Sequence, residues 1–195
     1  MMYNRSAIHS PFSIRDKIFG LDLSLLFSIL LLGIISIFAQ FSSSGGTFDY
    51  YSKSHAIRFC IFFILFLSVS FTPIRFWHSS SFLFFIFLLL LLIFVKFYGI
   101  QSQGSRRWVN LFVINLQPSE LMKIGIILFL SNYYHKISEG DVNKVRFLLY
   151  PVLAILAPFI LVLSQPDLGT AILILLSGIV VTWLAGVRWK IFAYL

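Results

Sequence analysis

The sequence predicts an all-α protein, a polytopic transmembrane helical bundle of six spans plus the start of a seventh. Its 195 residues are 59% hydrophobic and 18% aromatic, with only 11% charged and a mean hydropathy of +0.94. Such a chain has too little polar surface to clothe a soluble globule. A span needs about 20 predominantly apolar residues, because a helix rises about 1.5 Å per residue through roughly 30 Å of hydrocarbon. Six stretches approach that length, and most basic residues fall between them. The whole chain, residues 1–195, reads as a single integral membrane domain, with residues 1–20 as a cytoplasmic tail.

The first predicted span runs from Leu21 to Phe41, the second from about Ala56 to Ile74, and the third from Phe82 to Ile100, with Lys96 near enough to its end to snorkel. The fourth starts at Pro118 and reaches about Tyr134. Its uninterrupted apolar part, Ile124 to Leu130, is too short to cross alone, so the helix takes in the turn carrying Glu120 and Lys123. The fifth, Phe147 to Ser164, contains Pro151 and Pro158, each of which removes a backbone donor and predicts a kink. The sixth covers Leu168 to Val187. After Arg188, Trp189 and Lys190, the terminal run "IFAYL" opens a seventh.

Orientation follows from the lysines and arginines. Six crossings put Arg5, Arg15, Lys17, Arg75, Lys136, Lys144, Arg146, Arg188 and Lys190 on the amino-terminal side. Lys53, Arg58, Lys96, Arg106, Arg107 and Lys123 fall on the other. Nine against six places the amino terminus in the cytoplasm. A cleaved signal peptide is a poor account of the first span, given its length and the spans that follow. The net charge of +8 does not indicate nucleic acid, because the basic residues are dispersed among membrane loops. Cys60 is the lone cysteine and can form no internal disulfide. No solenoid repeat, zinc spacing, P-loop or dinucleotide fingerprint is present. Cofactor use stays open: a divalent cation such as Mg2+ is compatible with the sequence, but no site for one is readable.

Two polar junctions interrupt this apolar chain. In "GSRRWVNLFVINLQPSELMK", residues 104 to 123, Gln117, Pro118 and Ser119 open a helix, since proline suits a first helical position whose N–H has no intrahelical partner. Glu120 meets the positive end of the helix dipole, and Lys123, three residues on, shares its face. Either charge alone is costly beside hydrocarbon. The pair serves either as a structural ion pair or as a direct substrate contact. Upstream, Arg106 and Arg107 are permanently charged, and Trp108 favours the membrane interface. The arginines suit bidentate binding of phosphate or pyrophosphate oxygens. Anchoring to anionic headgroups, or pairing with a nearby carboxylate, would also explain them.

The second junction is "LSQPDLGTA", residues 163 to 171. Gln165 and Asp167 flank a proline, Gly169 permits close helix approach, and Thr170 follows in the first turn of the sixth helix. Three roles are open to Asp167: capping that helix, serving as counter-ion to Arg106 or Arg107, or acting as a general base.

Taken in order, the two junctions resemble those of the SEDS proteins, the shape, elongation, division and sporulation family that includes RodA, FtsW and SpoVE. Asn110 after "RRWV" and the form "QPDLGT" resemble the RodA branch more than FtsW. The resemblance runs from the first span onward and covers the amino-terminal part of the family's architecture. It implies a peptidoglycan glycosyltransferase that polymerises lipid II at the outer face of the bacterial cytoplasmic membrane, for cell elongation and rod shape. It also implies partnership with a class B penicillin-binding protein in the elongation machinery. Arg106 and Arg107 would then stabilise charge developing on the pyrophosphate leaving group.

One departure is plain. The acidic residue thought to act as the family's general base lies after the seventh span, in a run resembling His-Thr-Asp-Phe, and nothing up to Leu195 matches it. The catalytic residue is therefore unassigned, and the chain is expected to be truncated. Two other classes remain open: a lipid II transporter or flippase, and a catalytically inert membrane fragment.

Overall fold

The computed structural model describes residues 19–102, 105–110, 115–138 and 140–188. It divides into two compact units, Met1–Pro73 and Ile74–Leu195. The expected cytoplasmic tail up to residue 18 and the expected seventh-span opening lie outside the described residues.

The first unit is a hairpin of α1 (Leu23–Ser43) and α2 (Tyr50–Phe71). Both helices start at an aspartate. Asp22 Oδ1 accepts from the Ser24 and Leu25 amides at 2.9 and 3.1 Å, and Asp49 Oδ1 accepts from the Ser52 amide at 2.9 Å. These bonds satisfy amides that have no partner inside their helices. Because Asp49 sets the start, α2 includes the polar turns from Tyr50 to His55, ahead of the point where hydropathy alone starts the span. Of all the side chains in the two helices, only Gly33 and Ser52 are buried. The apolar side chains instead face outward, as they do when lipid is the solvent. The helices meet where Phe59 covers Gly33: a Cβ there would lie 2.0 Å from the Phe59 ring.

The second unit holds α3 (Ile74–Tyr98), β1 (Ile100–Ser102), β2 (Ser105–Asn110), β3 (Asn115–Leu116), α4 (Pro118–His135), α5 (Val145–Leu163) and α6 (Leu168–Leu184). Its core is assembled at helical spacing. Phe85, Leu88, Leu92 and Val95 of α3 and Met122, Ile126 and Leu130 of α4 are buried, together with Val162 of α5 and Ile174 of α6. Small residues let the backbones approach. A Cβ on Gly178 of α6 would sit 2.4 Å from Ile155 Cγ1 of α5, the close packing by which membrane helices associate without a hydrophobic drive. Pro151 and Pro158 lie inside an unbroken α5 and are fully buried.

The expectation of six spans plus part of a seventh is corrected. Among the described residues four helices are long and apolar enough to cross a membrane: α1, α2, α3 and α5, of 21, 22, 25 and 19 residues. The predicted fourth span is α4, whose 18 residues open with Glu120 and Lys123 and close on Asn132 and His135. The predicted sixth span, α6, has 17 residues, about 26 Å of helix against roughly 30 Å of hydrocarbon. The two helices fall short for different reasons: α4 carries charged and polar residues in both end turns, and α6 stops before it reaches span length. The bundle remains helical, with one addition that hydropathy does not reveal. β1, β2 and β3 form a three-stranded antiparallel meander between α3 and α4.

Candidate functional site

At one end of the second unit α3 and α5 terminate, α4 and α6 begin, and the meander folds over the junction. The amino termini of two helices therefore converge there, each presenting unpaired N–H groups and the positive end of its dipole. Such an end attracts negative charge. Asp167 supplies some of it from within the protein. Its Oδ1 accepts from the Thr170 amide at 3.2 Å, capping α6, while Oδ2 accepts from Gln117 Nε2 at 2.8 Å and lies 3.5 Å from Arg107. Gln117 occupies the cap position of α4 but makes no side-chain bond to that helix. Its amide reaches the cap of α6 instead, so one carboxylate ties both helix starts to β2.

The β1–β2 register shifts at Arg107, which stands as an extra residue between the paired Arg106 and Trp108, and the two arginines differ in exposure. Arg106 is exposed and donates to the Phe97 carbonyl at 2.8 Å, clasping the end of α3. Arg107 is turned toward the bundle, with 22% of its side chain exposed. Trp108, half-buried, stands opposite Ile100 across the β1–β2 pair. Ser105, two residues before Arg107, is only 7% exposed.

The remaining predicted residues divide by position. Pro118 takes the first helical position of α4 and is fully buried, and Ser119 is 2% exposed. Glu120 and Lys123 pair at 2.8 Å across one turn, with side chains 54% and 24% exposed, so this ion pair rests at the rim of the junction. Gln165 is buried and donates to the Leu92 carbonyl at 3.1 Å, stitching the α5–α6 turn to α3. Gly169 has open space where a Cβ would be, so no neighbouring element presses against it. Thr170 enters through its backbone amide. Among the described residues no group of three or more His, Cys, Asp or Glu side chains is arranged to hold a metal ion.

Two polar features escaped the sequence reading. Ser105 is one, masked in the sequence by the bulky residues after it. The other lies at the opposite end of the unit. There Asn132 Nδ2 of α4 donates to Ser81 Oγ at 2.6 Å and to the His78 carbonyl at 2.9 Å, and the His78 and His135 rings meet edge to face at 5.2 Å. A single asparagine inside an apolar helix carries no sequence signal for its partner.

Fold and site together define a multi-pass helical membrane protein with an ion-paired, cation-bearing polar end. Residues 18–195 match the family of cell cycle proteins FtsW, RodA and SpoVE, and the chain belongs to that family. It is 32% identical to a probable peptidoglycan glycosyltransferase FtsW of Buchnera aphidicola subsp. Baizongia pistaciae, over 71% of this chain and 37% of the relative. It is 28% identical to the peptidoglycan glycosyltransferase MrdB of Escherichia coli K12, over 90% of this chain and 46% of the relative. Among solved structures it is similar to the rod shape determining protein RodA of Thermus thermophilus, at a TM-score of 0.74 and 25% identity, covering 90% of this chain and 57% of that one. The chain spans less than half the length of these curated relatives.

Proposed function

We propose that this chain works as part of a RodA-type peptidoglycan glycosyltransferase that polymerises lipid II at the outer face of the bacterial cytoplasmic membrane. Its junction would receive the pyrophosphate of the lipid-linked substrate. The observation that carries this reading is Arg107, a permanent cation turned toward two converging helix starts and steadied by Asp167 and Gln117. A cation held in place before charge develops on a leaving group need not reorganise during reaction, which is how electrostatic preorganisation lowers a barrier. Arg106, exposed on β2, and Lys123 at the rim add positive charge around the same entrance.

The two carboxylates at the junction are poor candidates for the reaction's general base. Both oxygens of Asp167 are engaged by Thr170, Gln117 and Arg107, and Glu120 is held by Lys123. Asp167 is better read as a positioning residue.

Orientation follows from the long helices. With the amino terminus in the cytoplasm, as the basic residues favour, crossings by α1, α2 and α3 bring the meander to the outer face. A class B penicillin-binding protein within the elongation machinery is the proposed partner. In support, the chain resembles, at a TM-score of 0.76, part of a peptidoglycan synthase complex described as coordinating polymerization and crosslinking.

The test is glycan polymerisation from purified lipid II by a complete relative carrying Arg→Ala at the position of Arg107. A fall of about 100-fold or more is expected for loss of a preorganised charge. An unchanged rate would remove the pyrophosphate role.

A further inference from the structure

Two buried donors at the junction have no partner among the described residues. Ser105 Oγ and Arg107 Nε are both shielded from solvent and make no hydrogen bond among the described residues. They stand two residues apart on β2, beside the register shift at Arg107, and both side chains are turned largely away from solvent. Buried polar groups are nearly always paired, so two unpaired donors two residues apart on one strand call for a shared explanation.

Asp167 does not supply it. Its oxygens already serve the Thr170 amide, the Gln117 amide group and the terminal nitrogen of Arg107. An arginine Nε–H only donates, and a serine hydroxyl can donate by rotating. What complements the two is therefore an acceptor atom. Arg107 remains positive with one carboxylate beside it, and the starts of α4 and α6 add partial positive charge, so an anionic oxygen suits the place better than a neutral carbonyl.

We propose that Ser105 Oγ–H and Arg107 Nε–H form a two-donor seat for a phosphoryl oxygen, with Ser105 a further ligand-binding residue of this site. This rests on the reading of Arg107 as a phosphate ligand and sharpens it. The charge of Arg107 is shared between Asp167, bound at its terminal nitrogen, and the ligand, bound at Nε. Arg106, exposed and tied to Phe97, is not part of the seat.

The experiment measures binding of undecaprenyl pyrophosphate to the 195-residue chain in phosphatidylcholine nanodiscs, with inorganic pyrophosphate as a soluble arm. Ser105→Ala should weaken binding about 5- to 20-fold, the scale of one hydrogen bond to a charged group. Ser105→Cys, which refills the volume with a weak donor, should not restore it; restoration would assign the loss to packing and overturn the proposal. Arg107→Lys keeps the charge but removes Nε, so Ser105→Ala should cost less in that background than alone. Additive losses would show that the two donors do not share an atom and would overturn the seat. If Arg107→Ala abolishes binding while Ser105→Ala leaves it unchanged, the Ser105 seat fails and the pyrophosphate reading stands. If neither changes binding, both fail. Equal Ser105 sensitivity in both arms assigns the seat to the phosphoryl group alone, and sensitivity confined to the lipid arm assigns it to a headgroup presented from the bilayer.

Discussion

Arg107 and Asp167, 60 residues apart in the chain, meet as an ion pair: a guanidinium nitrogen of one is 3.5 Å from Oδ2 of the other. Asp167 also caps α6 and accepts from Gln117, so one side chain joins the meander, α4 and α6. Asp167→Ala should destabilise the protein by about 1–3 kcal/mol, the sum of a lost cap and a partly buried charge left without its partner. Asp167→Asn, which retains an oxygen for the Thr170 amide, should fall between the two. Thermal unfolding in detergent, followed by helical circular dichroism, reads the difference.

Glu120 and Lys123 offer a contrast at the same end. Their pair is one turn long and reaches solvent, so Glu120→Ala should cost less than about 1 kcal/mol. A complete relative changed at this position and losing polymerisation while keeping its unfolding temperature would assign the pair to substrate handling. Parallel loss of both would assign it to packing.

Helix contact inside the second unit depends on Gly178. A side chain there collides with Ile155, whose Cγ1 would be 2.4 Å from the new Cβ. Gly178→Val should therefore destabilise by about 1–3 kcal/mol through overpacking. Ile155→Ala, harmful alone because it opens a cavity, should recover part of that loss when the two are combined. Equal unfolding temperatures for wild type and Gly178→Val would refute the contact.

Asn132 has a different office, bridging α4 to α3 through Ser81 and the His78 carbonyl. Asn132→Leu should cost about 1–2 kcal/mol, because the Ser81 hydroxyl and that carbonyl lose a buried partner. Hydrogen exchange should quicken at the start of α3 and the end of α4 while the junction with Arg107 keeps its protection.

The loop between α4 and α5 carries a pH-dependent contact. Asp141 is held below the usual aspartate range, first by its hydrogen bond from Lys144 and then by one from Ser138. A lowered carboxyl pKa contributes order that is present above the unfolded value and disappears as pH falls through the folded one. Exchange of the Lys144 amide, which donates to the Asp141 carbonyl, should therefore accelerate only below the ordinary aspartate range. Asp141→Asn should show the faster exchange at neutral pH.

Much of the chain's organisation was legible in its letters. Long apolar runs, with Asp167 at a helix start, come from local chemistry, and local chemistry is written in order along the chain. Pro118 at the first position of α4 is legible for the same reason. The extent of the spans was less so: α4 dilutes its apolar run with Glu120, Lys123, Asn132 and His135, and α6 stops at 17 residues, limits that depend on where each helix begins and ends. The meander was also hidden, because "SRRWVN" reads as a basic interfacial loop until a partner strand pairs with it.

By itself the sequence determined a helical membrane protein and located both polar junctions that matter, since composition and capping act over a few residues. Only the tertiary structure decided that the neighbouring arginines part company, that Asp167 answers Arg107, and that Ser105 stands beside that arginine without a partner. Strand pairing and its register set which way a side chain turns, and the convergence of α4 with α6 sets what it meets there. Both depend on contacts between segments far apart in the chain, which no local pattern encodes.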